Sequence, residues 1–428
     1  MPDAGADDHF VTADQLCVGM YVHLDVPWID HPFTFSSFKI KTLEQVATIQ
    51  ALGVGRVRYA PRRSDSEPLK AVAASETAVA PPATSAVSQE ADPVYQAKRQ
   101  RVQRLAERRE KLAACEREFA SSSRTIKSFS ATLHAQPELV REQATQLVSA
   151  MADSMLMDVE IAIQLMADKI GSEEVYLHSL NVTLLSMMLA KEMKAPRELL
   201  RPLGLGALFH DIGETEIPDR VLRKTDALTR AEASLLQQHC AYGVEIGRKL
   251  KLMPEALNVI AQHHERVDGS GYPKKLGAAE QSLLARIVAV VNAYDELCNP
   301  PDPVRALTPH EALSTMYAQQ RNQFDPMAIS TFIRCMGVYP PGTIVGLSNG
   351  AVGMVISVNS ARSLKPTVLV FDPSVPREEA IVVDLELEPD VTVAKTVRPQ
   401  SLTPAAIAYL APRKRMAYYF DTESAKGR

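Results

Sequence analysis

Cysteine is scarce and unpaired. The five residues, Cys17, Cys115, Cys240, Cys298 and Cys335, lie far apart, and no Cys-x-x-Cys occurs. An odd, scattered set points to neither a disulfide frame nor a thiolate zinc site, so reduced bystanders are expected. Long apolar runs are missing as well. No stretch reaches the roughly 18 uninterrupted apolar residues of a membrane helix, and Met1 to Phe10 carries Asp3, Asp7 and Asp8 where a secretory signal would be basic and greasy. No membrane span and a cytoplasmic location are therefore expected. There is no excess of one charge: 47 basic against 51 acidic side chains leave a net charge of −4, which gives no general attraction for a nucleic acid polymer or anionic lipid. Any phosphate binding has to be local. No internal repeat is found.

What is there is an ordinary globular composition, 46% hydrophobic and 23% charged, in 428 residues. At roughly 100 to 200 residues per domain, two to four units are expected. Residues 1–63 read as a mixed α/β module: Thr42-x-x-Gln45 is a capping box, Leu43 to Leu52 the helix, Gly53 its stop and Val57 to Tyr59 a strand. Trp28, the only tryptophan, stands in this module beside Ile29-Asp30-His31 and is best read as a core anchor. Residues 64–95, rich in Ala, Pro and Ser, bury too little to offset ordering entropy and read as a linker. Residues 96–126 form a charged amphipathic helix with Val102, Leu105, Leu112 and Phe119 near heptad spacing. One helix packed on its own protein and a dimeric coiled coil weigh equally there, which leaves a homodimer open.

Residues 127–336 carry helical periodicity. Thr229-x-x-Glu232 and Thr308-Pro309-x-Glu311 open helices, Asp325-Pro326 opens another, and Gly337 closes it. From 337 to 398 the pattern turns to period two: Thr343 to Leu347, the turn Asn349-Gly350, Ala351 to Val358, and Thr367 to Phe371. That is a hairpin signal and predicts a small β-rich, barrel-like module. The tail, 399–428, is weakly patterned. The expected fold is mainly α, a helical bundle between a small mixed α/β module and a small β-rich one.

Five of the ten histidines' positions carry the chemistry. Glu174 and His178 are one helical turn apart; His210-Asp211 ends an apolar run; His239 is expected in the helix opened at Thr229; His263-His264 precede Asp268-Gly-Ser-Gly-Tyr-Pro273. Successive helices of a bundle can bring such residues to one point, as in carboxylate and histidine metal sites. Imidazole with carboxylate and no thiolate suits iron, manganese or zinc. Two ions about 3.5 to 4 Å apart can share a hydroxide and neutralise phosphate oxygens, which is phosphoester hydrolysis chemistry.

His210-Asp211-Ile-Gly213, His239 and His263-His264-Glu265-Arg266-x-Asp268-Gly269-x-Gly271-Tyr272-Pro273 together resemble the HD-GYP domain, a bacterial branch of the HD metal-dependent phosphohydrolases that degrades cyclic di-GMP. The resemblance covers the helical domain, and the N-terminal segment looks like a small module that accompanies a subset of these proteins. It implies two or three divalent ions, iron or manganese, held by Glu174, His178, His210, Asp211, His239, His263 and His264, with Asn292 in the last ligand place. Asp211 would bridge the ions, and His210 and Asp211 form the catalytic pair. Arg266, Gly269, Gly271 and Tyr272 would shape the substrate pocket. Glu265 and Arg266 match the motif too, with an ion pair inside the loop weighed against substrate contact.

Two positions depart from the family's pattern. Glu214 stands where a lysine is usual, and Asn292 where an aspartate is, in Val291-Asn292-Ala293-Tyr294-Asp295-Glu296. Asp295 is set aside as an unfavourably placed substitute. The basic stretch that commonly follows is here Cys298-Asn-Pro-Pro-Asp302-Pro-Val-Arg305, with Arg305 its one cation. The leading expectation is a phosphodiesterase that opens cyclic di-GMP to pGpG, with further cleavage to GMP left open. Two alternatives stand beside it: an adaptor that binds cyclic di-GMP with weak or no turnover, and a hydrolase of another nucleotide. A signalling protein partner is left open.

Overall fold

The computed structural model describes residues 9–26, 31–33, 35–70, 103, 107, 110, 121–129, 132–156, 162–165, 174–222, 224, 226–300, 302–359, 364–373, 375, 377, 380–388, 390–410 and 418–421. Trp28, most of the linker and most of the charged helix lie outside them.

Near the N-terminus, β1 (His9–Val11), β2 (Tyr21–His23), β3 (Ser37–Lys39) and β4 (Val57–Tyr59) make a four-stranded antiparallel sheet in the order β1-β4-β2-β3. Helix α1 (Leu43–Ala51) starts where the capping pattern places it: Thr42 Oγ1 accepts from Gln45 N, and the Gln45 side chain accepts from Lys41 N. Gly53 ends it at φ +66°, a conformation that costs a side chain more than glycine. Val22, Ile40, Ile49 and Val57 fill the core of this module.

The helical domain is built from α2 (Pro137–Leu156), α3 (Glu174–Glu192), α4 (Leu200–Leu208), α5 (Asp219–Leu222), α6 (Arg230–Gln237), α7 (His239–Lys249), α8 (Pro254–Gln262), α9 (Leu283–Cys298), α10 (Pro309–Thr315) and α11 (Pro326–Met336). All of α4 except Arg201, and most of α9, is buried, so these two form the axis of the bundle. Both capping boxes form, at Thr229 with Glu232 and at Thr308 with Glu311, and Asp325 caps α11 through Met327 N and Ala328 N. Tyr294 of α9 meets Phe332 of α11 edge to face at 5.1 Å, both fully buried. Truncating such an aromatic typically costs about 3 to 5 kcal/mol.

Beyond Gly337 the strands β6 (Ile344–Leu347), β7 (Val352–Asn359), β8 (Thr367–Phe371), β9 (Ile381–Asp384) and β10 (Val393–Thr396) follow, with the Asn349-Gly350 turn between β6 and β7. The sheet has seven strands. Its other two come from distant parts of the chain, β5 (Ala162–Leu165) between α2 and α3 and β11 (Tyr418–Asp421) in the tail. Strand β7 pairs with β8 along one edge and with β6 and then 162–164 along the other, a branched sheet without a closing pair among the described strands. The barrel-like expectation is corrected to an open antiparallel sheet. The tail also supplies a helix, Pro404–Leu410, so weak patterning there did not mean absence of structure.

Candidate metal centre

Four helix ends meet at the site. His178 sits one turn into α3. His210 and Asp211 follow the end of α4, His239 opens α7, and His263 and His264 follow α8. The turn after Asp211, residues Ile212–Glu216, is pressed against α7 so closely that a Cβ on Gly213 would fall 2.0 Å from the carbonyl oxygen of His239. Only glycine lets the two histidine-bearing elements approach this far.

Each ring is oriented from behind. His210 Nδ1 faces the carbonyl of Ala207 at 2.7 Å, His239 Nδ1 that of Leu236 at 2.7 Å, and His263 Nδ1 that of Ile260 at 2.9 Å. A carbonyl only accepts, so each Nδ1 carries the proton and each Nε2 presents a lone pair inward. His178 is held differently, by Asp295 Oδ2 at 2.7 Å from its Nδ1.

The Nε2 atoms converge on one carboxylate. Asp211 Oδ2 lies 3.0 Å from His210 Nε2 and 3.5 Å from His178 Nε2, and its Oδ1 lies 3.3 Å from His263 Nε2 and 3.5 Å from His239 Nε2. Two donor groups result: His178, His210 and Asp211 form one, and Asp211, His239, His263 and His264 the other, the ligand atoms within 4.8 Å of one another in each. Asp211 belongs to both, which is what a bridging carboxylate requires.

The donor chemistry fits divalent cations. His239 and His263 bring Nε2 to Nε2 at 3.2 Å, two lone pairs face to face, and Asp211 Oδ1 is buried without a hydrogen-bond donor. A cation satisfies all three. At the other group, His178 and His210 stand 3.1 Å apart through Nε2. Burial alone would lower the His178 pKa, but hydrogen bonds to Asp211 and Asp295 outweigh it and hold the ring well above its usual range. A proton there takes the position that a cation would otherwise fill. Burial would raise the Asp211 pKa, yet its contacts with the surrounding imidazoles, the protonated His178 among them, hold it well below the ordinary carboxylate range. Burial brings His263 down to about 4 and His264 well below 6.5, so both rings stay neutral and ready to ligate.

Tyr272 stacks on His264 at 4.5 Å between centroids and 22° between planes, and places its ring 6.4 Å from that of His239. Burial pushes its hydroxyl far above 10, so the phenol stays protonated. Gly269 adopts φ +77°, and a Cβ on Gly271 would fall 2.4 Å from Arg266 N and 2.5 Å from the His264 carbonyl oxygen, so both glycines fold the loop onto the histidine pair. Glu265 is buried and accepts from Lys274 N at 2.7 Å and Leu276 N at 2.9 Å, locking the loop. It does this rather than pair with Arg266, whose guanidinium lies 4.8 Å from the Phe324 ring centroid. Of the two alternatives weighed for Glu265 and Arg266, the ion pair inside the loop does not form. Burial lowers the Arg266 pKa.

Of the expected ligands, His178, His210, Asp211, His239, His263 and His264 come together. Glu174 opens α3, and its side chain lies outside what the structure describes. Asn292 is fully buried. Its Nδ2 donates to Glu296 Oε1 at 2.9 Å, and its Oδ1 has no donor. Arg305 is exposed and pairs with Asp302 at 3.6 Å. Asp295, set aside on sequence grounds, faces the site after all, as the carboxylate behind His178 and not as a ligand. Asn181 and Asn299 hold its other oxygen at 2.8 and 2.9 Å. Glu214 was singled out in the sequence as a departure within the motif, whereas Glu296 was missed as a neighbour of the centre. Burial and the nearby Asp211 raise Glu214 to about 8, and protein crowding raises Glu296 although solvent reaches it at the mouth. The available signal for Glu296 was its place four residues, about one helical turn, after the substituted Asn292.

Residues 129–328 match the HD domain family. The chain is 34% identical over 229 residues to a cyclic di-GMP phosphodiesterase of Pseudomonas aeruginosa, covering 53% of this chain and 55% of the relative. The helical domain is thus similar to the HD domain family and to a named cyclic di-GMP phosphodiesterase. Residues 10–144 match a domain of unknown function, DUF3391, which takes in the N-terminal sheet. A 3'3'-cGAMP-specific phosphodiesterase of Vibrio cholerae is 33% identical over 127 residues, 29% of this chain and 24% of that one. The chain thus spans about half the length of the first of these relatives and a quarter of the second. Among solved structures, an HDG"Y"P protein from Bdellovibrio bacteriovorus aligns with 76% of this chain and 98% of its own, at 16% identity and TM-score 0.38. No helix among the described residues is long and apolar enough to cross a membrane.

Proposed function

We propose that the chain is a metal-dependent phosphodiesterase that hydrolyses cyclic di-GMP to linear pGpG. The observation that carries this reading is the Asp211 carboxylate shared between two groups of inward-facing imidazoles. Residues His178, His210 and Asp211 would hold one ion and Asp211, His239, His263 and His264 the other, with iron or manganese best suited to this nitrogen and oxygen set. When bound, such ions make water nucleophilic near neutral pH and neutralise phosphate charge.

The chain's own residues do the rest. Backbone carbonyls behind His210, His239 and His263 fix their tautomers, so no proton has to leave these rings before they ligate. Tyr272, stacked on His264, offers an aromatic edge against which a base can rest, and its protonated hydroxyl is a donor for a phosphate or sugar oxygen. Arg266 is the cation on this side of the site and meets phosphate charge there. His210 and Asp211 form the catalytic pair in the sense that both touch the reacting centre.

The test is direct. Protein loaded separately with Fe(II) and Mn(II), its metal content confirmed, is given cyclic di-GMP and 3'3'-cGAMP, and products are separated by chromatography. Release of pGpG supports the reading. Confirmed metal with no pGpG refutes it, and a product from 3'3'-cGAMP alone reassigns the substrate. A second reading, a cyclic di-GMP-binding adaptor with weak turnover, is favoured by the neutral Asn292 and by Glu214; tight nucleotide binding without product would support it.

A further inference from the structure

The C-terminal sheet is gripped from both sides. Successive side chains of a strand point to opposite faces. Ile344 of β6, Met354 of β7 and Leu369 of β8 lie on the face that packs against the core of the helical domain. Val345, Val355 and Val368, each one residue out of step with these, lie on the other face and belong to a second apolar core. Among the described residues, every member of that second core but one falls between Tyr339 and Val393. The exception is Phe35 of the N-terminal module, 8% exposed. On the helical side a polar tie adds to the packing, since Arg398 Nε donates at 3.0 Å to Glu311, the acid of the α10 capping box.

The N-terminal module also holds the turn between β6 and β7. Tyr21 Oη donates to the carbonyl oxygen of Asn349 at 2.8 Å, and the Arg63 guanidinium donates to the same oxygen while lying over the Tyr21 ring, 3.7 Å from its centroid. Gly350 adopts φ +87°, and a Cβ there would fall 2.8 Å from an Arg63 nitrogen, so the glycine that closes the hairpin also lets Arg63 approach. At the rim Lys41 Nζ meets Asp390 at 2.5 Å, an exposed pair that contributes little. A buried aromatic with a tyrosine and an arginine is the kind of anchor set that carries the energy of an interface.

We propose that the outer face of the C-terminal sheet and its Asn349-Gly350 turn are the docking surface for this chain's own N-terminal module, and that this docking is coupled through the sheet to the helical domain. Phe35 is the anchor, and Tyr21 with Arg63 sets its register on the turn. The two interfaces use opposite faces of the same strands, so order imposed from one side lowers the cost of ordering those strands for the other. Such a coupling is reciprocal. It gives the N-terminal module a route to the helical domain that does not pass through the metal centre, and it stands independently of the phosphodiesterase reading.

Hydrogen–deuterium exchange of the full chain, read by mass spectrometry, tests both halves. Phe35→Ala and Arg63→Ala are compared with wild type and with Arg56→Ala, an exposed arginine of the same module. Phe35→Ala is expected to speed exchange in β6 to β9 by about tenfold or more, Arg63→Ala by about threefold or more, and Arg56→Ala to leave it unchanged. Arg63 lies outside the module's core, so its variant decides the matter if Phe35→Ala unfolds the module. Met354→Ala, on the opposite face of the sheet, is expected to speed exchange in β2 and β4 while α4 and α9 keep wild-type rates. Arg398→Ala, which removes only the polar tie, is read in its place if Met354→Ala disturbs α4 or α9. Wild-type exchange of the sheet in both Phe35→Ala and Arg63→Ala overturns the docking assignment. Wild-type exchange of β2 and β4 in both Met354→Ala and Arg398→Ala overturns the coupling. Protection of β6 to β9 that falls when the wild-type protein is diluted overturns the choice of the chain's own module and places the contact between two copies.

Discussion

Asp295 Oδ2 stands 2.7 Å from His178 Nδ1 and fixes which nitrogen of that ring points to the centre. Asn181 and Asn299 occupy the other carboxylate oxygen, so Asp295 is itself held in place. In Asp295→Asn the amide can turn its NH2 toward His178, and Nδ1 would then give up its proton and the inward lone pair would be lost. Metal affinity is expected to fall by about 10- to 100-fold, as read from metal content after gel filtration. An unchanged metal content would remove Asp295 from this role.

Tyr272 tests the substrate side without touching the ligands. Tyr272→Phe keeps the stack on His264 and is expected to hold KM for cyclic di-GMP within about threefold. Tyr272→Ala removes an aromatic face worth about 1 to 3 kcal/mol per stacked base, so KM should rise by roughly tenfold or more while bound Mn(II) stays at the wild-type level.

Gly213→Ala places a methyl 2.0 Å from the His239 carbonyl oxygen. Neither backbone can yield without moving His239 or Asp211. A loss of about 1 to 3 kcal/mol is expected from overpacking, visible as a lower Tm, together with weaker metal binding. A mutant with wild-type Tm and metal content would show that the turn can be displaced.

Glu232 links stability to pH. Lys224 Nζ at 2.6 Å and the amide and hydroxyl of Thr229 bring its carboxyl down to about 2. A group depressed in the folded state binds fewer protons there than in the unfolded chain, so its contribution is present above about 4.5 and is lost as pH falls toward about 2. Glu232→Gln preserves the capping pattern and removes the charge. Its Tm should lie below that of wild type near pH 6, with the gap narrowing as pH falls below 4.5; a constant gap would contradict the linkage.

Removing metal should cost stability as well as activity. Ions that bind only the folded chain stabilise it by about 2.7 kcal/mol at a hundredfold excess over Kd. A chelator should therefore lower Tm, and added Mn(II) should restore it. Equal Tm with and without metal would mean that the imidazole cluster binds no ion under those conditions.

The local features were legible from sequence because their causes lie within about four residues. Thr42, Thr229, Thr308 and Asp325 cap helices through side chains that reach the next turn, and Asn349-Gly350 closes a hairpin of adjacent strands. The imidazole ligands were legible as residue types. The pairing of 162–164 with β7 and of 418–421 with 162–165 was not, because strands so far apart in the chain leave no short-range pattern.

By itself the sequence determined which residues are chemically able to hold ions, where the helices begin and end, and that the loop after His264 needs glycine. Tertiary structure decided how the carboxylates divide the work: Asp211 is shared, Asp295 backs His178 and Glu265 locks a loop. The reason is geometric. A helix fixes which side chains share its own face, but the angle at which it crosses its neighbours sets which acid meets which imidazole, and that angle comes from packing among residues distant in the chain.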